Sequence, residues 1–145
     1  MERALLVIAA ISGFLGVAAG AFGAHALRPR LPAERIAWFE TAVRYQVWHA
    51  LALFAAWVVG TADVVGARPS GAYLEGSRTG IVVGGTMPWP AALAGGLFVA
   101  GTVLFSGSLY ALALTGRRSW ARVAPLGGAC FLLGWASLAL AGATA

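Results

Sequence analysis

Polar and ionisable side chains are concentrated in one short part of an otherwise apolar sequence. Glu40 and Arg44 are four residues apart, a spacing that puts an acid and a base on one face of a helix. His25 ends one apolar stretch and His49 begins the next. Groups of this kind could relay a proton, bind a small molecule or ion, or ligate a metal or haem iron. The full candidate cluster consists of His25, Glu40, Thr41, Arg44, Tyr45, Gln46 and His49.

A second candidate pair, Ser106 and Tyr110, shares one face of a later apolar stretch. No histidine–acid pair accompanies either hydroxyl in the sequence, which argues against nucleophilic catalysis. A metal site normally needs three or four ligands, and two histidines alone fall short of that number. The sequence contains neither a phosphate-binding loop nor a dinucleotide fingerprint. We therefore predict no catalytic residues, no metal site and no cofactor, and expect most of these polar groups to have structural roles.

The composition around these residues indicates an integral membrane protein. Of the 145 residues, 60% are hydrophobic and 10% are charged, whereas soluble domains carry about 25% charged residues. A soluble fold with so few charges would expose large apolar patches. The ten basic residues, all arginines, separate apolar stretches, as loop charges in a membrane protein do, and do not form one basic face. The bilayer is the expected surrounding, and nucleic acid is excluded as a partner.

Four apolar stretches, each long enough to cross a ~30 Å hydrocarbon core, use most of the chain. They predict an all-α membrane protein, a four-transmembrane-helix up-down bundle forming one domain over residues 1–145. An amphipathic segment at 32–44 is expected in or near the interface, either separate from the second crossing or continuous with it. Residues 62–90 have the composition of a polar loop, within which a small hairpin is an alternative. The predicted crossings are residues 4–27, 45–61, 91–115 and 123–143.

Glycines recur along the predicted helices. In the first helix they lie three or four residues apart, and Gly16 and Gly20 form a G-x-x-x-G motif. Such a stripe allows another backbone to approach closely, either within the protein or in a homodimer, and we favour packing within the protein. The glycines predicted to serve helix packing are Gly13, Gly16, Gly20, Gly23, Gly107, Gly127 and Gly128.

The arginines also predict the orientation of the bundle. Seven lie in the first and third connections and three lie on the opposite side. The positive-inside rule therefore places connections 28–44 and 117–122 in the cytoplasm and both termini outside. Near the end of the first helix, we expect Glu40 to be paired with Arg44. Because successive helices run antiparallel, we expect the two histidines at the same side of the membrane.

Four motifs follow one another along the chain: residues 20–27 (GAFGAHAL), 39–51 (FETAVRYQVWHAL), 105–116 (FSGSLYALALTG) and 124–128 (APLGG), the last followed by Gly134 and Trp135. Together they resemble the YgdD-like family of small bacterial inner-membrane proteins, which includes eukaryotic transmembrane protein 256 and has been filed as a domain of unknown function. The resemblance covers all four crossings and implies a multi-pass protein of the bacterial inner membrane without an established activity. It also implies that both candidate clusters belong to the family signature, together with Gly107, Pro125, Gly127 and Gly128. The loop at 62–90 is longer and more polar than the family pattern requires.

The function predicted first is that of a non-enzymatic accessory or scaffold component of a larger membrane complex, or of a homo-oligomer. Small size, glycine-lined helices and an incomplete catalytic set favour it. One alternative is a small-molecule, ion or proton conduit that uses the His/Glu/Arg/Tyr cluster. Another is a redox-cofactor protein in which His25 and His49 are the ligands.

Overall fold

The computed structural model of the protein describes residues 2–61 and 87–144. These residues form helices α1 (Glu2–Phe22), α2 (Ala33–Thr61), α3 (Trp89–Gly101), α4 (Gly107–Thr115) and α5 (Ala124–Ala143). A π-helical turn at Gly23–Leu27 extends α1, and another at Thr102–Ser106 joins α3 to α4. A short 3-10 helix, Arg118–Arg122, precedes α5. Residues 62–86, which hold most of the predicted polar loop and its hairpin, lie outside the described residues.

Within residues 2–61 and 87–144, four helical spans are long and apolar enough to cross a membrane. The predicted all-α class with four long apolar helices is confirmed. We refer to them as the first span (Arg3–Leu27), the second span (Ala33–Thr61), the third span (Trp89–Thr115) and the fourth span (Arg118–Ala143).

The second span joins the amphipathic segment and the second crossing in one uninterrupted helix of 29 residues. Neither glycine nor proline occurs between Ala33 and Gly60, so nothing in the sequence breaks the helix. At 1.5 Å per residue the helix is roughly 44 Å long, which exceeds the ~30 Å hydrocarbon core. Its amphipathic first turns therefore extend beyond the hydrocarbon, or the helix tilts.

The spans are arranged so that the second lies between the first and the third. α1 packs mainly on α2, α2 also contacts α3 and α4, and α5 packs mainly on α3 and the following π turn. Small residues of α2 and α3, among them Ala52, Ala56 and Ala94, form the core together with Phe98 and Phe131. The first span is consequently attached to the bundle chiefly through the second span.

Glycines of the first span form the seam along which it meets α2. A Cβ atom on Gly16 would lie 2.7 Å from Val47 Cγ2, and one on Gly23 would lie 2.9 Å from the ring of Phe39. Contacts this short leave no room for a side chain, so glycine permits the close approach of the two helices. At Gly20 and Gly13 the corresponding distances, to Val43 and Ala50, are 3.4 and 4.0 Å.

The other glycines predicted to serve packing behave differently from one another. Gly127 lies against the third span, because a Cβ there would be 2.7 Å from Phe105 Cβ. The structure does not place Gly107 or Gly128 at a helix contact, since a Cβ at either position would have no heavy atom of the described residues within 4 Å. Sequence spacing alone could not distinguish these two from the packed glycines.

The π turn in the third span changes which residues face the second span. A π turn accommodates one extra residue, so the helix that follows is rotated by roughly 100° relative to a continuous α-helix. This rotation affects the directions of Ser106, the last residue of the π turn, and of Gly107 and Tyr110 in α4. Isolated π turns occur frequently at functional sites.

Candidate functional site

The residues predicted to form one polar cluster are divided among three separate places. The first is the end of the first span, where Glu40 lies. The second is the interface between α2 and α5, where His49 is buried. The third is the middle of the bundle, where Gln46 meets Tyr110.

At the first place, Glu40 is paired with Arg28. Nη2 of Arg28 donates a hydrogen bond of 3.1 Å to Oε1 of Glu40. The expected pair of Glu40 with Arg44 is wrong, since no such contact occurs between these two described side chains. Arg28 immediately follows the first span, and the antiparallel packing of that span on α2 brings its guanidinium to Glu40. The two side chains are 67% and 48% exposed, and an ion pair at this exposure contributes little to stability.

Two further predicted residues, Thr41 and Arg44, are not bonded to that ion pair. The hydroxyl of Thr41 donates to the carbonyl of Ala37 in its own helix, at 2.8 Å. Arg44 lines a shallow groove of about 300 Å³ between the first two spans, together with Gly20, Gly23, Ala24, Phe39, Glu40 and Val43. The groove is open to the surroundings of the bundle, and its charged groups are exposed.

The two histidines lie far apart. Gly23 packs against Phe39 and Gly16 against Val47, so His25 is level with residues 37–38 of α2. His49 lies about twelve residues further along that helix, or roughly 18 Å. His25 is exposed, whereas His49 is only 4% exposed. The expectation that both histidines lie at one side of the membrane is wrong, and they do not form a shared ligand pair.

His49 fixes the interface between the second and fourth spans. Its Nδ1–H donates to the carbonyl of Tyr45 at 2.7 Å. Its ring stacks on Phe131 with a centroid distance of 3.4 Å and an interplanar angle of 9°. Tyr45 stacks on the same imidazole at 5.9 Å, and the rings of Phe98 and Trp135 are also in contact range. One ring nitrogen is thus used by the backbone, and one ring face is covered by Phe131.

In the middle of the bundle, one amide side chain connects three spans. The hydroxyl of Tyr110 donates to Oε1 of Gln46 at 2.9 Å. Nε2 of Gln46 donates in turn to the carbonyl of Ser12 at 3.0 Å. The ring of Tyr110 packs on Phe39, 4.9 Å away. The structure therefore joins Gln46 of the first predicted cluster to Tyr110 of the second.

This connection lies at a cleft between the first and third spans, with the second span as its floor. The cleft has a volume of about 310 Å³. Exposed side chains such as Ile11 and Val103 line it, so it opens sideways from the bundle. Its polar residues are Ser12, Gln46, Thr102, Ser106 and Tyr110, and its remaining lining residues are Ile8, Ile11, Leu15, Leu53, Val99, Val103 and Gly107.

Two hydroxyl groups at the cleft lack hydrogen-bond partners. Oγ of Ser12 and Oγ of Ser106 are both buried, and neither has a partner among the residues that the structure describes. Ser12 was not among the predicted site residues. The available signal was its isolation, since Ser12 carries the only hydroxyl between Ala4 and Leu27.

Arg35 has a structural role that no local pattern in the sequence indicates. Its Nε donates to the carbonyl of Ala113 at 2.6 Å, and Nη2 donates to the carbonyl of Leu114. Both carbonyls belong to the last turn of α4, which ends at Gly116 in the left-handed conformation, with φ of 70°. A guanidinium at a helix C-terminus satisfies free carbonyls and interacts favourably with the helix dipole. The start of the second span is therefore attached to the end of the third.

Comparisons with known proteins support a relationship over nearly the whole chain. The family described as "Protein of unknown function (DUF423)" matches residues 19–128. The UPF0382 inner membrane protein YgdD of Escherichia coli strain K12 is 43% identical over 143 residues, covering 98% of this chain and 90% of the relative. A UPF0382 membrane protein of Haemophilus influenzae is 35% identical over 139 residues, covering 96% of this chain and 93% of the relative. The UPF0382 membrane protein YwdK of Bacillus subtilis is 34% identical over 139 residues, with coverages of 96% and 95%. No solved structure matches the chain.

Proposed function

Since the chain belongs to the DUF423 family, whose relatives are named as membrane proteins of uncharacterised function, we propose that it is a non-catalytic accessory or scaffold component of a larger membrane complex. The main support for this proposal is that the candidate polar groups bond to other groups inside the bundle. Gln46 and Tyr110 bond to each other, and His49 is bonded to the backbone and covered by aromatic rings. Contacts of this kind hold helices together, which supports a structural role for these groups.

The exposed side of the first span supports a role in assembly. α1 buries its glycine seam against α2 and directs large apolar side chains away from the bundle, with Phe14 73% exposed. Val7 and Val17 are exposed as well. In a bilayer this surface is available to lipid or to the transmembrane helix of a partner, either another protein or a second copy of the chain.

We propose the bacterial inner membrane as the location, with connections 28–44 and 117–122 in the cytoplasm and both termini outside. The bonds from Arg35 to the last turn of α4 support this orientation, because they put the first and third connections at one end of the bundle. Of the seven arginines in these connections, all but Arg44, which is eleven residues into α2, therefore lie at the same end. The positive-inside rule favours such an end for the cytoplasmic side. Alkaline phosphatase fused to the C-terminus should be active. If the phosphatase fusion is inactive and a reporter that fluoresces only in the cytoplasm is fluorescent at the same terminus, the orientation is the reverse of the one proposed.

The geometry supports the two alternative functions less well. A conduit through the predicted cluster would use Glu40, Arg44 and His49 on one path. The first two line an open groove between the first and second spans, whereas His49 packs against the fourth span. Redox-cofactor binding would need His25 and His49 to reach one ligand, and their different depths along the bundle oppose this.

The scaffold proposal is tested by crosslinking in the native membrane followed by purification. A photoreactive phenylalanine analogue replaces Phe14 on the first span or, in a matched variant, the exposed Leu132 on the fourth span. We expect the Phe14 variant to give a reproducible adduct with one membrane protein or a second copy, and the Leu132 variant to give less. If gentle purification returns only the single chain and neither position forms a protein adduct, the scaffold role is wrong.

A further inference from the structure

The cleft between the first and third spans contains donor groups that the bundle leaves unused. Ser106 is 1% exposed, and its hydroxyl has no partner among the described residues; the same holds for the buried hydroxyl of Ser12. Neighbouring hydroxyls of the third span are satisfied, since Thr102 donates to Phe98 and Ser108 donates to Phe105.

Nε2 of Gln46 carries two N–H groups and one of them bonds to Ser12. Unsatisfied donors are costly in an apolar surrounding, so a ligand that accepts hydrogen bonds would offset that cost.

These donors lie deep in the bundle. Ser12 is fifteen residues from the Leu27 end of the first span, and Gln46 is thirteen residues from the start of the second. At 1.5 Å per residue these positions are roughly 20 Å from the basic end of the bundle, close to the centre of a ~30 Å hydrocarbon core. The headgroup and ester carbonyls of a phospholipid lie at the interface and do not reach this depth. The acceptor must therefore belong to a molecule that dissolves in the hydrocarbon.

The space beside the donors is suited to such a molecule. The cleft volume of about 310 Å³ is within the size range of small-molecule sites. Its lining contains no Asp, Glu, Lys, Arg or His side chain. Gly107 lines the cleft and would place a Cβ in open space, so the absence of a side chain there contributes to the volume. Ser106 ends the π turn at Thr102–Ser106, and both Ser106 and Gly107 line the cleft.

We propose that the cleft binds one uncharged, lipid-soluble molecule that consists of a hydrocarbon body and a carbonyl group, the chemistry of a long-chain ketone or quinone. The molecule enters sideways from the bilayer. Its carbonyl oxygen accepts hydrogen bonds from the hydroxyls of Ser12 and Ser106, which turn toward the cleft from their buried positions, and Gln46 lines the same cleft. Its hydrocarbon part contacts apolar residues such as Ile8, Leu15 and Val103. This binding site is independent of the scaffold role.

The experiment uses hexylbenzophenone, an uncharged ketone whose carbonyl is also the photoreactive group, with the full chain in phosphatidylcholine nanodiscs. After irradiation, mass spectrometry should locate adducts on the cleft-lining residues of the first and third spans. Undecyl methyl ketone should suppress these adducts, whereas tridecane, an alkane with the same number of carbons, should not at the same concentration. Equal suppression by ketone and alkane, or no suppression by either, would overturn the proposal.

Variants distinguish the cleft from general binding to the apolar surface. Gly107→Leu fills the cleft and should abolish the adducts, whereas Gly96→Leu, on the same span but outside the cleft, should retain them. In the double variant Ser12→Ala and Ser106→Ala, the ketone concentration that suppresses the adducts should rise roughly tenfold. Each hydrogen bond in a membrane protein accounts for about threefold of that rise. Ser108→Ala, whose hydroxyl bonds to the backbone, should leave the suppression unchanged. Retained adducts in Gly107→Leu, or unchanged suppression in the double variant, would show that the cleft is not this site.

Discussion

Tyr110 and Gln46 are joined by a hydrogen bond of 2.9 Å that connects the third span to the second. The same amide bonds to the backbone of the first span at Ser12. A single side chain thus satisfies its carbonyl and one of its amide protons while connecting three helices. In a membrane, where helices gain little from burying apolar surface against one another, such contacts help determine which helices meet.

Removing the Tyr110 hydroxyl should weaken this connection without disturbing the packing of its ring. We expect Tyr110→Phe to lower the free energy of unfolding by about 0.6 kcal/mol, with about 1.7 kcal/mol as the upper end for hydrogen bonds between membrane helices. Unfolding by sodium dodecyl sulfate in mixed micelles, followed by circular dichroism, measures the change. Tyr45→Phe is the matched control, since the Tyr45 hydroxyl has no hydrogen bond to any described residue. Equal effects of the two substitutions would contradict the prediction.

The guanidinium of Arg35 should contribute more than that of a neighbouring exposed arginine. Arg35→Ala leaves the carbonyls of Ala113 and Leu114 without their donor. Because hydrogen bonds to charged groups contribute about 1.5–3 kcal/mol and this one is partly exposed, we expect a loss of about 1–2 kcal/mol. Arg30→Ala, an exposed arginine in the same connection, should change stability by less than about 0.5 kcal/mol. A similar loss in both variants would mean that net charge, and not the bond to the helix end, is responsible.

The sequence predicted the helices well because each is a long apolar run, and the bilayer requires such a run to be helical. The partners of polar side chains were predicted less well. Glu40 and Arg44 satisfy a local spacing rule, yet Glu40 bonds to Arg28, which the packing of the first span brings nearby. Gln46 and Tyr110 are 64 residues apart, and no local pattern relates them. The π turn in the third span also shifts the helical register. A prediction of which residues share one helix face is therefore unreliable beyond that turn.

The ion pair of Arg28 with Glu40 should contribute little to stability. Both side chains are exposed, and exposed pairs typically contribute 0.2–1 kcal/mol. A double-mutant cycle with Arg28→Gln and Glu40→Gln should give a coupling energy of at most about 1 kcal/mol, which decreases as salt is added. The same cycle with Arg44→Gln in place of Arg28→Gln should give a smaller coupling. A larger coupling energy for Arg44 would show that Glu40 pairs with Arg44, as the spacing in the sequence suggests.

The glycine seam should tolerate no side chain at Gly16. Gly16→Leu forces the first span away from Val47, and overpacking of this kind costs about 1–3 kcal/mol. Val47→Ala in the same chain removes the atom that the new side chain meets and should recover part of the loss. Gly96→Leu controls for the exchange of glycine in a helix, because a Cβ at Gly96 meets no atom of the described residues within 4 Å. If Gly16→Leu is as stable as Gly96→Leu, the seam is not closely packed.

Ser106 and Ser108 should respond to alanine in opposite directions. The Ser106 hydroxyl is buried without a partner among the described residues, whereas that of Ser108 donates to the carbonyl of Phe105 at 2.9 Å. An unsatisfied buried polar group costs about 1–3 kcal/mol, so Ser106→Ala should raise the free energy of unfolding of the ligand-free protein. Ser108→Ala loses a bond and should lower that free energy by about 0.6 kcal/mol. The measurement is unfolding in mixed micelles without added ketone, and a loss of stability in Ser106→Ala would mean that its hydroxyl is already bonded. A gain would mean that the serine lowers the stability of the empty bundle, as expected of a group that is satisfied only when the cleft is occupied.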